Sequence, residues 1–537
     1  MPTLNWIGKE AVVNHDKEVP FRLLRKIKAH SVGENSQNLI IHGDNLEALK
    51  ALMPHYYGSV KCIYIDPPYN TGNESWVYND RVNSPKINKW LGKVVGGESE
   101  DLCRHDKWLC MMYPRLKLLR DLLTDDGVIF VSIDDNEVYN FRHVLNDIFG
   151  ENNFIAQLVW KKKAGGGSDT KYFAIDHEYI LVYAKEEKMQ NRYFVDLDDK
   201  LKSDYKYKDD NFNKLGLYKR KNLYQTGIET DRPNLKYPID CPDGSKILPP
   251  TIWRWSKETF FKAKDEGKIE FIQNKKKEWQ VFTKMYLYDD GGEEYKIKPR
   301  SIFHDVAFTR DGNDDLKELF GDVKIFNYPK PVKLIKYLLK IGSDKKSIII
   351  DSFAGSGTTG HSVMQLNKED NGNRNFILIQ LDESLEEPIK LKNSVILKSV
   401  IDVTKERVKR SIDKYDYKEG FEFCELDKPL FNNEGQIDEE CTYEQLATYI
   451  YFTETRNNID KKEISKPFIG ESPDGSKRYY LIFKEKGKNV LSRENVKNLG
   501  KGLTKKIVYA DKCLLSQYEI DKWNIQFKQI PYEIEVY

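Results

Sequence analysis

Cys62-Ile63-Tyr64-Ile65-Asp66-Pro67-Pro68-Tyr69-Asn70-Thr71-Gly72 is the stretch on which the reading of this chain turns. Its apolar first half reads as a buried β-strand, and the two prolines stop that strand because they carry no backbone N–H. An acid, a rigid turn and an aromatic ring are thereby fixed at a strand's carboxyl end, the edge at which open α/β sheets bind ligands. Asp66 and the carbonyl of Pro67 offer hydrogen-bond acceptors, and Tyr69 offers a flat π-face. That set suits an exocyclic amino group on a stacked heteroaromatic base. Taken alone, Asp66-Pro67-Pro68-Tyr69 fits a plain strand followed by a proline turn equally well.

A second motif shifts that balance. Asp351-Ser352-Phe353-Ala354-Gly355-Ser356-Gly357-Thr358-Thr359-Gly360 follows the strand-like run Ser347–Ile350 and precedes a helix-like stretch, His361–Leu366. Strand, glycine-rich turn and helix make a nucleotide-type loop in which the backbone approaches a ligand closely. No Gly-Lys-Ser/Thr follows, so it is not a phosphate-binding Walker loop. Gly355-x-Gly357-x-x-Gly360 also fits a dinucleotide fingerprint. An NAD-dependent oxidoreductase is therefore the competing class, but it leaves Asp66–Tyr69 without a purpose.

Together the two motifs resemble the amino-methylating DNA methyltransferases, in which Asp-Pro-Pro-Tyr is the catalytic motif and Phe-Ala-Gly-Ser-Gly is the S-adenosylmethionine loop. The catalytic motif comes first here, which is the order of the β group. Asn38–Leu49 looks like that group's strand and acidic turn ahead of the catalytic strand, and Gly127–Glu137 looks like a later sheet strand. Over residues 10–185 and 325–425 the chain is most similar to the modification subunit of type III restriction–modification systems.

The resemblance implies a Rossmann-like α/β methyltransferase domain with an inserted target-recognition domain and a small C-terminal α/β domain. It makes Asp66, Pro67, Pro68 and Tyr69 catalytic. Asp44, Asn45, Asp66, Lys330, Phe353, Ala354, Gly355, Ser356, Gly357, Thr358 and Thr359 are expected to hold S-adenosylmethionine. At the end of the strand Phe376–Ile379 the family often has an acid that grips the ribose. Here the position is Gln380, with Asp382 as the alternative. No metal site is expected. The implied reaction methylates the N6 amino group of adenine in a base flipped out of double-stranded DNA. An acid at the first motif position fits adenine, whereas cytosine-N4 enzymes more often carry serine there. Cytosine N4, RNA and a catalytically dead DNA-binding subunit are the other readings. A homodimer and a helicase–nuclease restriction subunit are the protein partners such a chain would have.

Length and composition agree with this. A chain of 537 residues is too long for one core. Lys plus Arg is 86 against 84 Asp plus Glu, a net charge of +2, so any nucleic-acid surface is local. The seven cysteines show no C-x-x-C or Cys/His ligand spacing. No signal segment or membrane-length apolar run is visible, and the chain reads as a cytoplasmic protein with no membrane partner. Residues 1–37 read as an N-terminal arm. Residues 38–184 and 324–402, where strands and helices alternate, read as the catalytic and cofactor-binding halves of one parallel-sheet domain. Residues 185–323, rich in Lys, Asp, Tyr and Trp and poor in periodicity, fill the target-recognition slot. Residues 403–537 read as a C-terminal domain for protein contacts.

Overall fold

The computed structural model describes residues 4–34, 36–71, 92–94, 103–165, 171–191, 193–225, 232–321, 324–392, 394–430, 437, 441–459, 462, 464–484, 489–500 and 504–530. Gly72 of the opening stretch lies outside them. The described residues form two compact units, one of residues 1–192 and 300–537 and one of residues 193–299.

A ten-stranded sheet organises the larger unit. Its strands are β1 (Arg22–Lys26), β2 (Leu39–His42), β3 (Val60–Ile65), β4 (Leu123–Ile133), β5 (Phe154–Lys161), β6 (His177–Ala184), β7 (Ile302–Phe303), β8 (Ile348–Asp351), β9 (Asn375–Gln380) and β10 (Glu422–Pro429). They lie in the order β1-β10-β2-β9-β8-β3-β4-β6-β5-β7. From β10 to β4 every pairing is parallel. β6 runs antiparallel to both β4 and β5. The helices that supply the two cores against this sheet include α1 (Asn45–Tyr56), α2 (Arg104–Leu122), α3 (Val138–Phe149), α4 (Val332–Gly342), α5 (Thr358–Asp370) and α6 (Val400–Tyr415).

The parallel strands are short runs of Ile, Val and Phe because both faces of the sheet are covered. Successive residues point to opposite faces. Ile41, Ile63, Ile65, Ile129, Val131, Ile350 and Ile379 share one core with Leu49, Leu116 and Phe141 of α1–α3. Ile40, Cys62, Tyr64, Phe130, Ile349 and Leu378 share the other with Leu334, Val363 and Val408 of α4–α6. The 3.6-residue spacing of Leu109, Met112, Leu116, Leu119 and Leu123 predicts one helical stripe over 106–123; all five are buried, but the helix ends at Leu122 and Leu123 opens β4.

The chain leaves β8 through α5 toward β9 and leaves β3 through α2 toward β4, in opposite directions along the sheet. Between β8 and β3 the connections therefore diverge, and this topological switch point is where doubly wound sheets open a ligand crevice. Asp66 and Ser352 follow the carboxyl ends of these two neighbouring strands.

Two segments differ from the boundaries read along the sequence. Arg22–Lys26, in the expected N-terminal arm, is an edge strand paired antiparallel to β10. α6 and β10 continue the main domain beyond residue 402. After β10, helix Tyr443–Thr455 packs on a four-stranded sheet of Phe468–Glu471, Lys477–Leu481, Lys505–Ala510 and Ile525–Gln529, with Leu446, Ile450, Tyr479 and Ile507 at its core. The second unit, narrower than residues 185–323, has its own three-stranded antiparallel sheet of Ile269–Gln273, Trp279–Tyr286 and Tyr218–Asn222. Trp253 is buried there with Tyr237, Phe260 and Val281, and its indole N–H donates to the Tyr237 carbonyl at 2.7 Å. It is a core residue of that unit.

Candidate active site

β3 ends at Ile65, and Asp66–Asn70 form an irregular turn held from several sides. Trp108, fully buried in α2, donates its indole N–H to the Pro68 carbonyl at 2.7 Å. Asn70 has φ +57°, and its buried amide donates to the carboxylate of Glu137, which is itself fully buried. A left-handed turn residue clamped by a buried acid fixes the direction in which Asp66 and Tyr69 project.

Asp66 sits in a buried charge network. The Lys330 ammonium donates to its two carboxylate oxygens at 2.8 and 2.9 Å and to the Tyr69 hydroxyl at 2.8 Å. The Tyr69 hydroxyl lies 2.9 Å from Asp66 Oδ1 and 3.1 Å from Glu178 Oε2, so its proton bridges two carboxylates. Lys162 donates to the other Glu178 oxygen at 2.9 Å. Two carboxylates and two ammonium groups thus balance. Burial pushes the Asp66 carboxyl above its ordinary range, with Lys330 pulling against that shift. Burial would lower the Lys330 ammonium, but Asp66 and Glu178 together hold it above its ordinary value. The lysine therefore stays cationic, and Asp66 depends on it to stay ionised. Lys330 Nζ also stands 4.9 Å over the Tyr69 ring.

A cleft opens beside this network, lined by Tyr64, Asp66, Pro68, Tyr328, Lys330, Asp351, Phe353, the Ala354–Ser356 backbone, Thr358, Gln380 and Glu383. Its glycine turn is fastened from below. The Gly355 N–H donates to Gln380 Oε1 at 2.8 Å, and the Thr404 hydroxyl donates to the Gly355 carbonyl at 2.5 Å. Gly357 has φ +82°, and a Cβ there would sit 3.0 Å from the Thr404 carbonyl oxygen, so only glycine suits the position. The Arg407 guanidinium, fully buried in α6, donates to the Ser356 and Thr358 hydroxyls at 2.7 and 2.6 Å. Its Nε and Nη2 have no hydrogen-bond partner among the described residues. A buried cation behind the turn and the amino end of α5 both favour an anionic group at this place. Burial pushes the Asp351 carboxyl up to about 7, against hydrogen bonds from the Thr359 hydroxyl and the Phe353 N–H. Apolar walls, a glycine turn and polar groups at both ends fit a nucleoside bearing an amino-acid chain.

Of the residues singled out in the sequence, Asp66, Pro68, Lys330, Phe353–Ser356, Thr358, Thr359 and Gln380 line one cleft. Lys330 reaches it as the partner of Asp66. Asp44 caps α1, accepting from the Leu46 N–H at 2.8 Å, and pairs with Arg115 at 3.0 Å. Asn45 donates to the Ser352 carbonyl at 2.9 Å and braces the glycine turn from behind. Asp382 does not line the cleft, and its carboxylate lies 3.9 Å from His42. The neighbouring Glu383 does line it. Sequence reading passed over Glu178, Glu137, Thr404 and Arg407, and it gave Lys162 no role in this cleft. The one signal for Glu178 is an acid at the head of the otherwise apolar strand Tyr179–Ala184. Among the described residues no group of three or more His, Cys, Asp or Glu is placed to hold a metal, and no helix is long and apolar enough to cross a membrane.

Comparison with known proteins agrees with this geometry. The model of the N6/N4 DNA methylase family matches residues 60–391, which takes in both motifs. The Mod subunit of the type III restriction–modification enzyme EcoPI, from Escherichia phage P1, is 36% identical over 456 residues, covering 77% of this chain and 68% of that protein. The StyLTI Mod subunit of Salmonella typhimurium is 33% identical over 430 residues, covering 76% of this chain and 62% of its own. The type II methyltransferase M.KpnI of Klebsiella pneumoniae is 29% identical over 381 residues, covering 66% and 83%. A match over more than half the chain, with both motifs on one cleft, places the protein in the N6/N4 DNA methylase family, as an S-adenosylmethionine-dependent DNA methyltransferase related to type III Mod subunits.

Proposed function

We propose that the enzyme methylates the N6 amino group of adenine, flipped out of double-stranded DNA at a specific site, as the modification member of a restriction–modification system. The observation that carries this reading is the Asp66 carboxylate, held at the switch point of the sheet beside the glycine turn. A carboxylate at that motif position favours adenine over cytosine, and the type III Mod relatives support the same setting.

The target amine is a poor nucleophile because its lone pair is delocalised into the ring. The protein has to localise that pair and hold it in line with the methyl group. Asp66 and the Pro67 carbonyl accept the two N–H hydrogens and draw the nitrogen toward tetrahedral geometry. Tyr69 stacks on the extruded base, worth about 1–3 kcal/mol. S-adenosylmethionine supplies an electrophilic methyl on a positively charged sulfur. Methyl transfer would leave the nitrogen cationic, and Asp66 would take its surplus proton and release it to water. In the resting site Lys330 occupies the Asp66 oxygens, so the incoming amine displaces it. Glu178 Oε2, 3.6 Å from Lys330 Nζ, offers the lysine a second carboxylate.

For the cofactor, Gly355, Gly357, Ser356, Thr358 and Thr359 take the methionine end, with Phe353 and Ala354 against the nucleoside. Gln380 and Glu383 stand at the ribose end. Asp44 and Asn45 support the site from behind. Residues 193–299 serve as the target-recognition domain, and the segment after β10 serves protein contacts with a restriction subunit or a second copy. Digesting modified DNA to nucleosides tests the reaction. N6-methyldeoxyadenosine is expected, and N4-methyldeoxycytidine in its place would overturn the assignment.

A further inference from the structure

β6 runs antiparallel to β4, with Ser132 opposite Ile180 and Ile133 opposite Tyr179, and β4 runs parallel to β3, with Val131 level with Ile65. The start of β6 therefore lies at the same sheet edge as Asp66. The loop from β5 to β6 springs from this edge. Its neck is closed by the Lys162 and Lys163 N–H groups donating to the Asp176 carbonyl at 2.7 and 3.3 Å. A hydrogen-bonded path ties the neck to the site: Lys162 to Glu178 at 2.9 Å, and Glu178 to the Tyr69 hydroxyl at 3.1 Å.

On this loop Phe173 is 86% exposed and Tyr172 81% exposed. Tyr139, 78% exposed at the start of α3, stands on the same rim, where the Tyr179 hydroxyl donates to Asp135 at 2.9 Å. Three of the four most exposed large hydrophobic side chains among the described residues thus lie on segments that leave the sheet edge carrying Asp66. Aromatic groups of this size, presented together, mark an interaction surface. Lys161, Lys163 and Lys171 flank them, with Lys171 Nζ 5.1 Å over the Tyr172 ring. In a chain whose net charge is only +2, that local concentration of lysine suits a polyanion.

The partner that matches aromatic rings set among lysines, at the mouth of a flipped-base pocket, is the duplex itself. Extruding a base leaves a gap between two exposed π-faces, and planar or apolar side chains fill such gaps. We propose that Tyr172 and Phe173 enter the duplex beside the target and take the stacking position that the flipped base vacates. This rests on the reading of Asp66 and Tyr69 as the flipped-base site.

The test uses the full-length protein and single-turnover methylation of two cognate duplexes. In one the target adenine is paired, and in the other it faces an abasic site and is already weakly held. Both side chains are exposed, so Tyr172→Ala with Phe173→Ala should leave S-adenosylhomocysteine binding and thermal unfolding unchanged. The double variant should lose about 10- to 100-fold in rate on the paired duplex, the scale of one stacked base. It should return to within a few-fold of wild type on the abasic duplex, and Tyr172→Trp should keep most activity on both. The fluorescence of 2-aminopurine at the target should fall in parallel on the paired duplex only. Equal loss on both duplexes would mean that the loop merely grips the backbone, and no loss on either would assign the rim to a protein partner. Either result overturns the proposal. Asp66→Ala, run alongside, separates the two levels. If it methylates DNA, the underlying site reading fails, whereas a dead Asp66→Ala beside an unaffected loop variant sinks the wedge alone.

Discussion

Replacing Lys330 with methionine separates two roles for that residue, counter-ion of Asp66 and cofactor contact. Lys330 and Asp66 are 2.8 Å apart with only 11% and 17% of their side chains exposed, so the pair is largely shielded from water. Removing one partner of such a pair costs ~3–5 kcal/mol, because the remaining charge is left uncompensated. Asp66 has an escape, which is to take up a proton. Burial already pushes its carboxyl up, and Lys330 is the main influence opposing that. Without the lysine the carboxyl rises further, and at neutral pH the ionised fraction shrinks. Protonation of Asp66 relieves that cost, so the rate near neutral pH falls with the ionised fraction. Because only the ionised form accepts both target and proton, the acid limb of the rate profile moves to higher pH. Lys330→Met should therefore be slow near neutral pH and recover as the medium becomes alkaline, while S-adenosylhomocysteine affinity changes little. Single-turnover rates across pH, beside calorimetric titration of the cofactor product, give both readouts. A rate loss independent of pH, accompanied by a loss of cofactor affinity, would refute the counter-ion role and return Lys330 to the cofactor.

Other substitutions probe neighbouring parts of the site. Gly357→Ala forces a left-handed residue to carry a Cβ 3.0 Å from a backbone oxygen that cannot easily retreat, since the Thr404 hydroxyl is tied to Gly355 and Val400. At ~1–2 kcal/mol for the backbone alone, S-adenosylhomocysteine affinity should fall by about 5- to 30-fold, measured by calorimetry. Tyr69→Phe keeps the ring but loses the hydroxyl between Asp66 and Glu178, so methyl transfer should slow by about 2- to 10-fold, the worth of one hydrogen bond. Tyr69→Ala should slow it well beyond that. Exchanging residues 193–299 for the matching segment of a relative should change the DNA site modified and not the atom, as single-molecule sequencing would report.

The central part of the fold was legible because its strands are short apolar runs ended by Gly, Pro or Asp, and because its helices carry 3.6-residue stripes such as Leu109, Met112, Leu116 and Leu119. The two strands at one end of the sheet were not. Arg22–Lys26, the edge strand, and its neighbour Glu422–Pro429 carry charges at alternate or adjacent positions, and their pairing spans some 400 residues of chain. The cleft itself announced its backbone, through Asp66–Tyr69 and Phe353–Thr359, but not its charges. Lys330, just ahead of the helix 332–340, resembled a cofactor-lining element of the family. Its partner lies 264 residues away, a pairing that no local pattern encodes. Glu178 and Arg407 were passed over for the same reason. A strand residue and a charged helix residue look solvated until the fold buries them.

Single-turnover transfer of labelled methyl to cognate DNA by Asp66→Ala tests the assignment of the catalytic turn most directly. One acceptor for the developing charge would be lost, typically ~10²–10³ in rate, and the alignment of the amine depends on the same carboxylate. Transfer at or near zero is expected, with S-adenosylhomocysteine and DNA still bound. Methylation at a near-normal rate would mean that Asp66-Pro67-Pro68-Tyr69 is only the end of a strand and that the chemistry lies elsewhere.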